Sequence, residues 1–239
     1  MLTKDKQNAI VQHCKGGKEV HKAGVLERLK ASGVIGIIRV DSAQDLVRIA
    51  QALHEGGLCC LEITMTTPGA LRAIEEAREE LPEVIMGAGT VLDAATARQA
   101  ILAGAQFLVT PTVKLDVIET AHRYGIPVIP GAMTPTEILS CWEAGADMVK
   151  VFPAEVLGPE FIRAVHGPLP QIPLVPTGGI TADNAGEFIR AGAAVVCVGS
   201  WLVDREAVAT GRIEILREKA RRLVAVVQKA RNDCPSYQH

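Results

Sequence analysis

Two residues of opposite charge stand inside runs otherwise built of small or aliphatic side chains: Glu62 in Cys59-Cys60-Leu61-Glu62-Ile63-Thr64, and Lys150 in Met148-Val149-Lys150-Val151-Phe152. A carboxylate and an amine in such runs lose hydration when the runs are buried, so their presence needs a reason. One reason is a mutual ion pair that holds strands together, yet a buried pair adds little that packed apolar side chains would not. The other reason is chemical. Burial and a neighbouring cation lower the pKa of the Lys150 amine, and the neutral amine attacks a carbonyl to form a Schiff base while Glu62 moves protons. The chemical reading is the stronger, because perturbed ionisable groups gather at active sites.

Groups suited to an anion accompany the pair. Pro176-Thr177-Gly178-Gly179 and Val198-Gly199-Ser200 each end an apolar run, and glycine lets backbone N–H groups approach phosphate oxygens closely. Either segment alone is also explained by a tight turn; the two together point to a phosphorylated ligand. Arg39, near the end of the run Val34 to Val40, either clamps a carboxylate or phosphate or pairs with Asp41 or another acid at the rim. Gly87-Ala88-Gly89-Thr90 offers backbone donors and a hydroxyl, but not the spacing of a dinucleotide or Walker loop, so no nucleotide site is read here. The six histidines are isolated, without a His-Glu-x-x-His pair, so no metal site is expected and most are read as solvated helix or loop residues.

These side chains need elements to position them. Eight short apolar runs are expected as strands: Val34 to Val40, Cys59 to Thr64, Val84 to Ala88, Phe107 to Thr110, Pro127 to Ile129, Met148 to Phe152, Pro173 to Pro176 and Val195 to Val198. Between them lie helical patterns over Ser42 to His54, Pro68 to Glu80, Asp93 to Ala103, Leu115 to Arg123, Pro135 to Ala144, Gly158 to Val165 and Thr181 to Ala191. Strands this apolar need cover on both faces, which suggests α/β architecture and a closed parallel (β/α)8 TIM barrel. An internal repeat supports it. Gly57, Gly104, Gly145 and Gly192 each follow a helix in a small-residue turn and are expected as left-handed helix caps. If they are equivalent, then Glu62, Val109, Lys150 and Cys197, each five residues on, share one interior layer. Thr64, Pro111, Phe152 and Gly199 form the next layer toward the mouth. The barrel is placed at 24–204, after an N-terminal extension at 1–23. A C-terminal tail follows at 205–239, where Ile213, Leu216, Ala220, Leu223, Val224, Val227 and Ala230 recur at helical spacing on an amphipathic helix packed on the barrel.

Composition removes several function classes. The chain has 239 residues, only eight of them aromatic, so stacking platforms for single-stranded nucleic acid are not expected. A net charge of -2, with basic and acidic residues interspersed, gives no attraction for polyanions or anionic membranes. The six cysteines, Cys14, Cys59, Cys60, Cys141, Cys197 and Cys234, lack ligand-like spacing and read as reduced thiols of a cytoplasmic protein. No segment has the length of a signal peptide core or a membrane span.

Taken together, Leu61-Glu62-Ile63-Thr64, Gly87-Ala88-Gly89-Thr90-Val91-Leu92, Ile129-Pro130-Gly131, Val149-Lys150-Val151-Phe152-Pro153-Ala154-Glu155, Pro176-Thr177-Gly178-Gly179-Ile180 and Gly199-Ser200-Trp201-Leu202-Val203 resemble one family. It is that of the 2-keto-3-deoxy-6-phosphogluconate and 4-hydroxy-2-oxoglutarate aldolases, and the resemblance runs from Val25 to Asp204. It implies a class I aldolase on a (β/α)8 barrel, assembled as a homotrimer, with no metal and no cofactor beyond a covalent lysine Schiff base. Its implied substrates are small molecules: pyruvate and a phosphorylated keto acid or aldehyde.

Residue by residue, the resemblance makes Lys150 the Schiff-base lysine and Glu62 the general acid and base. Thr90 becomes a contact for the pyruvate carboxylate, and Gly178, Gly179, Gly199 and Ser200 the phosphate end. Phe152 walls the site from water, and Pro111 and Thr177 complete the substrate-binding set. One stretch departs from the pattern. Several relatives carry Leu-Arg-Thr where this chain has Met65-Thr66-Thr67, and Arg39 is expected to supply the missing charge. The competing readings are a 2-keto-3-deoxy-6-phosphogalactonate aldolase, a phosphate-binding-barrel isomerase or epimerase, and a non-catalytic phosphosugar-binding protein. The Lys150 and Glu62 pair separates aldolases from the last two.

Overall fold

The computed structural model describes residues 21–42 and 45–233; most of the expected N-terminal extension, with Cys14, His13, Cys234 and His239, lies outside the described residues. Helix α1 (Lys22–Ser32) leads into β1 (Val34–Ile38), α2 (Leu46–Glu55), β2 (Cys60–Thr64), α3 (Ala70–Glu80), β3 (Ile85–Gly89), α4 (Ala94–Leu102) and β4 (Leu108–Val109). There follow α5 (Leu115–Tyr124), β5 (Val128–Ile129), β6 (Gly131–Ala132), α6 (Pro135–Glu143), β7 (Val149–Val151), α7 (Ala154–His166), β8 (Leu174–Pro176), α8 (Ala185–Arg190) and β9 (Val196–Val198). Two helices close the described chain, α9 (Arg205–Ala209) and α10 (Glu214–Asn232).

The strands are parallel and helices cover them, an α/β arrangement. Six pair in the order β5-β4-β3-β2-β1-β9 and three in the order β6-β7-β8. The fifth expected strand, Pro127 to Ile129, is β5, and a further short strand, β6, follows after Pro130, which has no N–H to give to a ladder; its carbonyl still accepts from Lys150 N at 2.9 Å. Beyond β8, Thr177 makes an isolated parallel bridge to Cys197 of β9.

Every strand position is buried, as parallel strands covered on both faces require. Alternate side chains nevertheless enter different cores, because successive strand residues point to opposite faces. Val34, Leu61, Ile63, Met86, Leu108, Val128, Val149, Leu174 and Val196 pack outward under the helices. Ile35, Ile37, Cys60, Ile85, Phe107, Val109, Ile129, Met148, Val175, Val195 and Cys197 form one inner core that draws on both sheets. The sheets are therefore curled around a shared interior. Val25 and Leu29 of α1 join that inner core and close its lower end.

The repeat glycines sit as expected. Gly57, Gly104, Gly145 and Gly192 all have positive φ, between 93° and 115°. Around Gly104 the cap is complete: Gly104 N donates to Ile101 O and Ala105 N to Ala100 O, both at 2.9 Å. Three histidines, His122 exposed and His54 and His166 half-buried, brace these turns or their neighbours. His122 Nε2 contacts Gly145 O at 2.8 Å, His166 Nε2 contacts Gly192 O at 2.7 Å, and His54 Nδ1 contacts Leu58 O at 3.1 Å.

The helix expected from Ser42 begins at Leu46, and two others differ from expectation for local reasons. The helix expected from Gly158 begins at Ala154 and is broken at Gly158, whose φ of 70° lies in the left-handed region, before Pro159 restarts it. The helix expected from Thr181 begins at Ala185, because the Asn184 side chain takes the Thr181 N–H at 2.9 Å and holds the preceding residues in a turn. At the C-terminus, Leu216, Ala220, Leu223, Val227 and Ala230 of α10 are buried against α2 and α8, with Ile213 and Val224 half-buried beside them.

Candidate active site

Strand geometry carries Glu62 and Lys150 into the same interior. Glu62 lies two residues beyond Cys60 on β2, and Lys150 two beyond Met148 on β7, so both share the face of inner-core residues. Val109 and Cys197, the other members of the expected layer, are inner-core residues as well. Electrostatics connects three of the four. Burial pushes the Glu62 carboxyl up, against the opposing pull of the Lys150 and Arg39 charges. Burial, then the Glu62 charge, pushes the Cys197 thiol up to about 12, against Lys150 and a Thr177 hydrogen bond. Glu62 is 1% and Lys150 6% exposed. Among the described residues, Glu62 Oε2 has no hydrogen-bond partner and is a buried open acceptor.

The next layer opens to solvent. Thr64 remains buried, Pro111 and Gly199 are half-buried, and Phe152 is exposed. The Phe152 ring centroid lies 5.3 Å from Lys150 Nζ, within cation–π range. Lys150 thus sits one layer below the mouth with an aromatic ring beside it.

Two further groups gather at the rim. Arg39 Nη2 donates to Thr90 Oγ1 at 3.2 Å, so Arg39 is directed across β2 to the end of β3, away from the suggested Asp41 pairing. Thr90 is the one non-glycine described residue with positive φ, 56°, a strained turn that presents its hydroxyl to Arg39. On the other flank of β1, Gly178 and Gly179 have φ of 99° and 65°, and the Thr177 to Cys197 bridge sets their loop beside β9, which pairs with β1 and leads into Gly199 and Ser200. Ala154 N donates to Thr177 O at 2.8 Å and ties this loop to the start of α7.

Sequence reasoning passed over some of the supporting residues. Asn184 Nδ2 donates to Gly179 O at 2.9 Å while Asn184 Oδ1 accepts from Thr181 N, clamping the glycine loop. A hydroxyl cluster occupies the departing stretch: Thr64 Oγ1 lies 3.1 Å from Thr66 Oγ1 and 3.2 Å from Thr67 Oγ1, and Thr67 Oγ1 accepts from Val40 N at 3.4 Å. The spacing of Asn184 behind the Gly-Gly turn and the three threonines within Thr64-Met65-Thr66-Thr67 were the available signals. Among the described residues, no group of three or more His, Cys, Asp or Glu could hold a metal ion, and no helix is long and apolar enough to cross a membrane.

The arrangement is a buried amine and a buried carboxylate in one interior, a cation and hydroxyl beyond the ends of β1 and β3, and glycine loops beyond β8 and β9 on the other flank of β1. It can add an amine to a carbonyl, move a proton beside it and hold an anionic substrate at its ends. Comparison with known proteins agrees. The family model for KDPG and KHG aldolase matches residues 25–218, which extends beyond Asp204 into α10. The 2-dehydro-3-deoxy-phosphogluconate aldolase of Treponema pallidum is 37% identical over 207 residues, covering 85% of this chain and 99% of the relative. The KHG/KDPG aldolase of Escherichia coli K12 is 36% identical, covering 82% of this chain and 92% of its own. A solved KDPG aldolase from Legionella pneumophila, with pyruvate captured as a covalent carbinolamine, superposes with a TM-score of 0.78 at 30% identity, covering 86% of this chain and 99% of its own.

Proposed function

The chain belongs to the KDPG and KHG aldolase family, and from that premise we propose how its own residues carry out the reaction. It is a carbon–carbon lyase, a class I aldolase that cleaves 2-keto-3-deoxy-6-phosphogluconate to pyruvate and glyceraldehyde 3-phosphate. The Lys150 amine adds to the C2 carbonyl, and the carbinolamine loses water to give a protonated imine. Glu62, as carboxylate, takes the proton of the C4 hydroxyl. The C3–C4 bond breaks, its electrons pass into the imine to form an enamine, and the aldehyde leaves. C3 of the enamine then takes a proton, and water releases pyruvate and returns the amine to Lys150. Glu62 supplies and removes these protons.

The observation that carries this reading is the juxtaposition of buried Glu62, with its open Oε2, and buried Lys150 in one interior layer. Arg39 and Thr90 hold the carboxylate end, while Gly178, Gly179, Gly199 and Ser200 receive the phosphate through backbone N–H groups and a hydroxyl. Pro111, Phe152 and Thr177 line the path between, Phe152 screening the imine from water. No metal is required by these steps. The fold is read as one closed (β/α)8 barrel at 24–204, with 1–23 preceding it and 205–239 as a tail. The continuity of β5 and β6 through Pro130 and the bridge from Thr177 to Cys197 support closure. A homotrimer in the cytoplasm, with small-molecule partners and neither nucleic acid nor membrane, accords with the family.

The test is reduction with borohydride in the presence of pyruvate, followed by intact-mass and peptide mapping. A pyruvyl adduct on Lys150, absent in Lys150→Met, is expected. No adduct at saturating pyruvate overturns the reading.

A further inference from the structure

The Gly87-Ala88-Gly89-Thr90 segment has a residue that the proposed chemistry leaves without a role. Gly89 ends β3 and pairs in register with Thr64 of β2, and its carbonyl accepts from Met65 N at 2.8 Å. Gly89 is not among the positive-φ glycines, so its backbone would accept any L-residue. The need for glycine lies in the space beside it. A β-carbon built on Gly89 would overlap the Glu62 carboxylate, 2.8 Å from its Cδ, 3.4 Å from its Cγ and closer still to Oε1. No other side chain or backbone atom comes nearer that position. The carboxylate therefore meets the bare Cα of the next strand edge-on, with Oε1 turned to Gly89 and Oε2 left unpartnered.

We propose that Gly89 is a positioning residue for Glu62: the absent side chain forms the slot that sets where the carboxylate lies relative to Lys150. The inference rests on the reading of Glu62 as the proton-transfer group. A methyl at position 89 meets the far end of a flexible side chain, so the chain can refold around it by turning the carboxylate aside. Backbone and core stay in place, and only the reacting group moves. A displacement of about 1 Å suffices to lower a rate about 10²-fold.

The experiment compares wild type, Gly89→Ala, Glu62→Ala and the double variant in two measurements: exchange of the pyruvate methyl protons for deuterium, and thermal midpoint. Exchange in Gly89→Ala is expected to fall at least tenfold, while the double variant exchanges within twofold of Glu62→Ala. The midpoint lost in Gly89→Ala is expected to return when Glu62 is also truncated, since the contact is gone. Exchange in Gly89→Ala within twofold of wild type, or equal further losses with and without Glu62, overturns the proposal. If Gly89→Ala does not fold, a folded double variant upholds it and an unfolded one overturns it. The two readings fail separately: lack of a borohydride adduct in wild type removes the aldolase reading, whereas the thermal comparison still tests the slot.

Discussion

Two adjacent layers of the interior share strands and burial but differ in everything else. The lower one, Cys60, Phe107, Met148 and Val195, is fully buried and apolar. One step toward the mouth, Glu62, Val109, Lys150 and Cys197 are buried almost as deeply, yet the layer holds a carboxylate and an amine, and burial and the Glu62 charge push the Cys197 thiol up to about 12. The lower layer stabilises the fold by excluding water from large side chains. The upper layer desolvates charge, which opposes folding, and that same desolvation is what sustains the chemistry. The layers also support each other: the Phe107 ring occupies the space a side chain at position 87 would take, below the Gly89 slot.

The sharpest way to break the contrast is to give the upper layer the chemistry of the lower. Lys150→Met is expected to reduce cleavage of the phosphorylated keto acid by at least about 10³-fold while the thermal midpoint holds or rises. A large fall in midpoint would mean that Lys150 is a structural ion. The converse is Phe107→Ala, expected to destabilise by about 3–5 kcal/mol in denaturant titration, since the cavity lies where the inner core is tightest. The folded fraction should still be trapped by pyruvate and borohydride. Loss of trapping in folded protein would merge the two layers into one functional unit.

A smaller effect is expected at the rim. Arg39→Ala removes a cation directed at Thr90 and should raise KM for the phosphorylated keto acid about 10–100-fold, with kcat changed less. Unchanged steady-state constants would take Arg39 out of the site. The smallest effect is thermodynamic. Burial raises the Glu62 pKa above its ordinary value of 4.5, so the folded state binds this proton more tightly than the unfolded chain. The associated stability is full below that ordinary value and is lost as pH rises through the raised one. Glu62→Gln cannot ionise, so its midpoint relative to wild type should climb as pH rises above 4.5, by about 2–4 °C for each kcal/mol. A difference independent of pH would show that Glu62 is not desolvated as a carboxylate.

Much of this was legible in the chain. The four repeat glycines set the phase of β2, β4, β7 and β9, and a period of two then placed Glu62, Val109, Lys150 and Cys197 on the interior face. Strand ends were less legible, because β4 and β5 retain only two ladder residues each where the apolar runs are longer. The apolar run stops at Ile129 and the helical pattern starts at Gly158, so β6 beyond Pro130 and the helical turn from Ala154 to Gly158 lie outside what patterning shows. Arg39 could be read as a rim cation, but not its partner, since Thr90 lies 51 residues away on another strand.

The order of apolar runs, the glycine turns and the two charges set within strands determined the fold class and the central pair of groups. These are properties of local periodicity, which the chain writes out residue by residue. Only the tertiary structure decided that Gly89 makes room for Glu62 and that Arg39 meets Thr90. Each of these depends on side-chain direction and strand register. Register emerges when distant strands pack together, and no spacing along the chain encodes it.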